Sequence, residues 1–276
     1  MGRLPRNFHK TFVPERRYMS EMLRFAAAGK SGDYQIIAQE TGIPMGKSTG
    51  KVPAILDYCR GMGMLTIDEE SRSSVKSPEL TPFGRIVLLE DPLVSERITQ
   101  LIAHFNICSP DNGADAWYHV FFRGRHILGM RFSREQLNSY LADMYGVSNR
   151  NLIGPMIRMY QDDVSFLRAD TLSTTNNEIE RLSASLVREY ANALTAWILS
   201  LMERFFPKSK QVTITELERI CGWQSIPGWS DARVSEALSL LETKGAIGID
   251  RQMQPWILRK QGISEAWWPR IYEDLI

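Results

Sequence analysis

Gly46, Lys47, Ser48 and Thr49 bring a glycine, a cation and two hydroxyls together within ETGIPMGKSTGKV, residues 40–52. Residue types of this kind suit a phosphate, whose oxygens take backbone N–H groups, hydroxyls and positive charge. A nucleotide phosphate loop needs a glycine, four residues, then Gly-Lys-Ser/Thr, in a turn that leaves a buried strand and opens a helix. Only three residues separate Gly42 from Gly46, and the preceding DYQIIAQET, with Ile36 and Ile37 among charged and amide neighbours, has the pattern of an amphipathic helix. Spacing and context both fail, so no nucleotide cofactor is expected, and the anion must come from elsewhere.

Paired carboxylates are the other chemistry-bearing spacing. Glu90-Asp91 precedes Pro92 and reads as the cap of the next helix; Asp162-Asp163 ends a helix. There is no His-Asn-His array and no Asp…Glu-x-Lys core of a metal-dependent nuclease, so the metal ligands stay unassigned. Cys59, Cys108 and Cys221 are too far apart for a zinc knuckle and too few for a disulfide framework, and read as small buried thiols.

The elements around the lysine explain it better. Asp33 is the expected N-cap of a first helix that Gly42 and Pro44 stop. A second helix opens near Ser48 or Thr49, with Pro53 in its first turn and Val52, Ile55, Leu56 and Cys59 at i, i+3, i+4 and i+7. A strand in MLTID, a polar excursion and a returning LTPFGRIV then complete a wing. Helix, turn, helix, wing is the winged-helix arrangement, which lays its second helix in the DNA major groove. Lys47, Ser48, Thr49 and Lys51 then stand at the tip of that helix, where a nucleic-acid phosphate belongs.

The pattern returns near the C-terminus. TITELERICGW is a short helix with Thr215 at its cap, SDARVSEALSLLETKG carries Val234, Ala237, Leu238 and Leu241 at helical spacing, and AIGIDRQMQPWILRK gives two strands. Between the modules the spacing predicts helices, the last of them running through NEIERLSASLVREYANALTAWILSLMERFF, with turn-rich linkers at 108–113 and 206–211. The expectation is a mainly α, α+β protein: a winged-helix domain over 1–107, a helical middle region over 108–206 and a winged-helix-like domain over 207–276, with small two-stranded β wings. Trp117, Tyr118, Phe121 and Phe122, and the tryptophans of the second half, read as core.

Composition narrows the partners. The 276 residues are 43% hydrophobic and 24% charged, with a formal net charge of +1, so any nucleic acid must be met by a local patch. Residues 1–30 hold seven Lys or Arg against Glu15 and Glu21, and HVFFRGRHILGMRFSR, residues 119–134, holds four arginines, including Arg123 and Arg125, and no acid. Such a track fits a phosphate backbone or a protein partner. No run of 18 apolar residues and no hydrophobic signal core is present, which predicts a cytoplasmic chain without membrane contact.

NFHKTFVPER, ETGIPMGKSTGKV through YCRGMGML, LTPFGRIVLLEDP and ADAWYHVFF, in that order, resemble the SspB-like DNA nickase family of bacterial DNA phosphorothioation clusters over about residues 7–170. The resemblance implies a protein that opens one strand of double-stranded DNA so that a non-bridging phosphate oxygen can be replaced by sulfur, in an anti-phage defence system. It implies as partners a cysteine desulfurase, an ATPase and a reductase-like ATP pyrophosphatase. Nicking is in-line displacement at phosphorus, commonly with a divalent metal, here Mg2+ or Mn2+. In the matching FHKTFVPER, His9 becomes the candidate general base or phosphate ligand, Glu15 a candidate metal ligand, and Lys10 and Arg16 anion clamps. The paired modules alone equally suit a non-catalytic winged-helix DNA-binding regulator, or an assembly scaffold of the modification complex.

Overall fold

A computed structural model describes residues 2–45, 50–67, 74–146 and 153–275. In chain order the elements are α1 (Arg16–Ala27), α2 (Tyr34–Thr41), α3 (Lys51–Gly61), β1 (Leu65–Ile67), β2 (Pro78–Leu80), α4 (Pro82–Glu90), α5 (Arg97–Ile107), α6 (Asp115–Tyr118), α7 (Arg125–Leu128), β3 (Arg131–Ser133), α8 (Arg134–Tyr145) and α9 (Ile153–Met159). There follow β4 (Leu172–Thr175), β5 (Glu178–Arg181), α10 (Ala191–Phe205), β6 (Gln211–Thr213), α11 (Ile214–Cys221), α12 (Asp231–Thr243), β7 (Ile247–Asp250) and β8 (Ile257–Lys260). The fold is α+β: helices with three small antiparallel sheets among the described residues, ordered β1-β2, β3-β5-β4 and β6-β8-β7. No helix among these residues is long and apolar enough to cross a membrane.

One local device starts three successive helix pairs. Asp33 accepts the amides of Gln35 and Ile36 at the start of α2, and Gly42, with φ of 65°, ends it. Ser133 and Gln136 form a reciprocal capping box on α8, which ends at Gly146 (φ 67°); Thr213 and Glu216 do the same on α11, which ends at Gly222 (φ 66°). Each cap is reached from a strand or bridge, since β3 runs into α8, β6 runs into α11, and Gly32 bridges Lys76 just ahead of α2. Each helix pair is followed by a two-stranded hairpin, and in the second and third the leading strand joins that hairpin along its second strand. The order strand, helix, helix, strand, strand thus occurs twice, and the first helix pair repeats it with a single bridge in place of the leading strand.

Several expectations are corrected. LTPFGRIV is not a returning strand: Thr81 caps α4 by accepting the Gly84 amide, and Pro82, at the first helical position, needs no partner for its missing N–H. The returning strand is Pro78–Leu80, and the cap of α11 is Thr213 rather than Thr215. The second and third sheets are three-stranded, not two-stranded wings. The long helix expected through residues 177–206 is divided: Asn176 and Asn177, both at positive φ, make the two-residue turn of a β4-β5 hairpin, and only Ala191–Phe205 is α-helical. The chain divides into two compact units, Met1–Leu182 and Ser183–Ile276, so residues 108–182 of the expected middle region lie with the N-terminal segment and 183–206 with the C-terminal one.

In the first unit Met19, Met22, Ile55, Tyr58, Phe105 and Trp117 are buried; in the second, Trp197 and Leu199 of α10 lie buried, as do Trp223, Trp229 and Leu238. Full burial of each large apolar side chain contributes about 1.5–3 kcal/mol, which is why helical stripes rather than propensity decide these elements.

Candidate functional site

Lys47, Ser48 and Thr49 lie outside the described residues. Lys51 does not stand free at a helix tip. As the first residue of α3 it puts its Nζ 2.6 Å from Glu15 Oε1, 4.7 Å from the Tyr18 ring centre and 5.4 Å from that of Phe12, with its side chain 17% exposed. The expected exposure is corrected: a carboxylate neutralises the ammonium and two rings shelter it. Arg16 donates from its guanidinium to the Asp163 carbonyl, tying the start of α1 to the loop after α9. Lys10 is exposed, at the positive-φ corner of the turn before α1. Replacing Lys51 by Met should lower stability by about 1–2 kcal/mol in urea unfolding, between the values for exposed and buried pairs. A free phosphate-contacting lysine would instead leave the unfolding midpoint where it is.

His9 is buried, 1% exposed, with its ring edge-on to Phe8 at 5.3 Å and Trp117 at 6.0 Å. Burial, aided by the nearby Arg158 charge and opposed by backbone hydrogen bonds, lowers its pKa to about 4. A neutral imidazole sealed among aromatics has no route to a phosphate in solvent, so its structural surroundings run against the base role expected of it. Beside the same turn, burial raises the Asp57 carboxyl to about 6, opposed by Arg60, Lys76 and Lys10.

The basic segment is where cations remain available. His119–Arg123 is a π-helical turn, closed by the Gly124 amide on the His119 carbonyl at 2.6 Å, and α7 and β3 follow it. Arg123 and His126 are exposed and Arg125 half-buried; neither Arg123 nor Arg125 makes an ion pair among the described residues, whereas Arg131 pairs with Glu180 at 2.9 Å. Arg181, 5% exposed, clamps the turn from beneath: its guanidinium donates to the carbonyls of Val120 (2.7 Å), Arg125 (3.2 Å) and Gly129.

At the foot of the same turn lies a cluster that the sequence reading passed over. The N-terminal segment runs beside residue 114, with the Leu4 amide on the Gly113 carbonyl (2.7 Å) and the Asp115 amide on the Leu4 carbonyl (3.0 Å). This places Arg3 Nε 2.8 Å from Asp115 Oδ1, its guanidinium 4.1 Å over the Tyr118 ring and Arg6 5.2 Å over the Tyr145 ring. His119 Nε2 faces the same Asp115 oxygen at 3.7 Å, while its Nδ1 is buried with no hydrogen-bond partner among the described residues. Burial lowers the His119 pKa; Asp115 opposes the shift, and Arg3 and Arg123 add to it. The Asp-x-x-x-His spacing in ADAWYH was visible; an arginine 112 residues upstream of its aspartate was not.

No family model matches the sequence, and no curated protein does. Two solved structures share its fold. A magnesium ion-bound SspB crystal structure superposes with a TM-score of 0.73 at 14% identity, and an SspB crystal structure with 0.72 at 15%; each covers 98% of this chain and 88% of the other. This chain therefore has the SspB fold along its length.

The magnesium in one neighbour raises the question of whether this chain's donors fit such an ion. Among the described residues no three His, Cys, Asp or Glu side chains converge on a point. Glu15, Asp57 and Asp115 each stand beside a cation, Lys51, Arg60 and Arg3 respectively. These donors do not fit a preformed divalent site, and no step below is routed through one.

Proposed function

We propose that this chain is a DNA-binding nickase of a phosphorothioation system, opening one strand of duplex DNA so that sulfur can enter the backbone with the help of a cysteine desulfurase, an ATPase and a reductase-like ATP pyrophosphatase. The observation that carries this reading is the full-length likeness to SspB. The repeated strand-helix-helix-strand-strand order supports it as a set of winged-helix-like modules, three rather than two. The DNA-facing residues we assign are Arg123 and Arg125, together with Lys10, Lys47, Ser48 and Thr49; Lys51 and Arg16 serve more as struts than as contacts.

Supercoiled plasmid incubated with the pure protein, across a range of Mg2+ and Mn2+, should pass to open circles; plasmid that stays supercoiled throughout would remove the nickase reading. Duplex affinity should fall with salt, and Arg123→Glu with Arg125→Glu should flatten the log–log slope by about 2, near 0.9 for each lost phosphate contact. An unchanged slope would remove these two arginines from the interface. The sheltered Lys51 favours a second reading, a scaffold that binds the ATPase or desulfurase, and that reading alone survives a finding of no DNA affinity at low salt.

A further inference from the structure

We infer that Asp115 and His119, ringed by Arg3, Arg6 and Arg123, form the acid–base centre at which the nickase reading's phosphodiester is hydrolysed. The assignment rests on that reading but on different residues from those expected of it.

Charge comes first. Arg3 takes the Asp115 carboxylate at 2.8 Å, Arg6 lies over the neighbouring Tyr145 ring and the Arg123 charge acts on His119; Arg6 and Arg123 have no carboxylate partner among the described residues. In a chain whose net charge is +1, a local excess of two positive charges calls for an anion, and planar guanidinium forks suit phosphate oxygens. Second is the histidine. The Asp115 oxygen facing Nε2 favours the tautomer with its proton there, which leaves the Nδ1 lone pair unoccupied. At 8% exposure an imidazole nitrogen without a partner is costly; His9 carries two such nitrogens, and what sets His119 apart is the carboxylate facing its Nε2 and the arginine charges acting on its ring. Third is the backbone. His119 opens the π-helical turn, a departure from α geometry that recurs at functional sites, and Arg181 ties that turn, through the Val120 carbonyl, to Arg125 and Gly129 of the segment that follows it.

Hydrolysis then proceeds with atoms in balance. As the water oxygen bonds to phosphorus, His119 Nδ1 takes the water's proton; the ester P–O bond on the opposite side breaks, and the leaving alkoxide takes a proton from solvent. The products are one phosphate monoester end and one hydroxyl end. Arg6 and Arg123 hold the non-bridging oxygens, whose charge grows in the transition state. The part-buried rings of Tyr118 and Tyr145 stand 5.2 and 6.0 Å from His119, so the step requires one of them to turn aside for the water.

Plasmid nicking by the full chain, with duplex binding measured alongside, tests this. His119→Gln should lose 100-fold or more of the nicking rate, the range a positioned base supplies, with duplex affinity changed less than about threefold. The wild-type rate should fall with pH along a limb displaced below the ordinary imidazole range, with Asp115, Arg3, Arg123, Tyr118 and Tyr145 the titratable or charged groups facing the ring, and that limb should vanish in the variant's residual activity. If His119→Gln fails to fold, His119→Ala with added imidazole gives the same reading: restored nicking supports the assignment, and no response at retained duplex binding overturns it. Wild type that nicks while His119→Gln nicks equally well overturns this centre and leaves the nickase standing. Wild type that never nicks overturns both.

Discussion

Arg181→Met is expected to destabilise the first unit by about 3 kcal/mol and, on the DNA-facing role proposed for Arg123, to flatten the salt dependence of duplex binding as the Arg123 substitution does. The guanidinium is buried, has no carboxylate partner among the described residues and is held by the carbonyls of Val120, Arg125 and Gly129. Hydrogen bonds to a charged group contribute about 1.5–3 kcal/mol each, and a methionine takes the guanidinium from the carbonyls of Val120 and Gly129, while that of Arg125 keeps the Gly129 amide at 3.1 Å. Against that stands relief of a buried charge, since burial, joined by the Arg125 charge, lowers the Arg181 pKa to about 10. The orphaned carbonyls outweigh this relief, because breaking a buried charge's partnership costs more than the partnership itself contributes. Arg181→Lys keeps the charge but cannot fork to three acceptors, so it should recover less than half of the loss. The unfolding midpoint in urea measures the first effect, and the salt slope of duplex binding the second. A midpoint within error of wild type for Arg181→Met would show that the turn supports itself.

The parts of this fold that could be read from sequence are those set by neighbours a few residues away. Asp33 with Gly42 bounded α2 correctly, and the stripes Val52-Ile55-Leu56-Cys59 and Val234-Ala237-Leu238-Leu241 are all buried, whereas Asp91 holds the amides of Ser95 and Glu96 ahead of α5 and does not cap it. Each is an i to i+5 matter. The β4-β5 hairpin was lost because a four-residue strand enters a run whose apolar spacing also suits a helix, and only the Asn176-Asn177 pair marks the turn. The site was harder still. Lys51 reads as a free cation until Glu15, 36 residues back, is folded onto it; His9 reads as a surface base until Trp117 covers it; and Asp115 acquires Arg3 only when the N-terminal segment is laid beside residue 114. Charge counts along the chain locate a basic segment, but which of its charges are spent on internal partners is decided by contacts more than 30 residues apart.

Acid should act on the first unit through two buried groups of opposite sign. His9 titrates near 4 when folded and near 6.5 when unfolded, so between these values the unfolded chain binds more protons. Its contribution is complete above pH 6.5 and is lost as pH falls toward 4, by up to about 3 kcal/mol. Asp57 runs the other way: its carboxyl, about 6 when folded against 3.8 in the open chain, burdens the folded state above pH 6, and that burden lifts as pH falls. With 30% of its side chain exposed, solvent screening trims this term to about 1–2 kcal/mol. The two partly cancel in wild type, which makes single variants more informative than the parent. Asp57→Asn should be more stable than wild type by about 1–2 kcal/mol at pH 7.5, and the advantage should shrink toward pH 4.5, because the burden it removes is then absent in wild type as well. His9→Gln has no proton to gain, so its stability relative to wild type should rise on the same acidification by up to about 3 kcal/mol. Urea midpoints at the two pH values, read from Trp117 fluorescence, give both differences. If either difference has the same value at pH 7.5 and 4.5, that side chain titrates in the folded unit as it does in the open chain; for His9 this would reopen the imidazole to solvent and to the base role that its burial argues against.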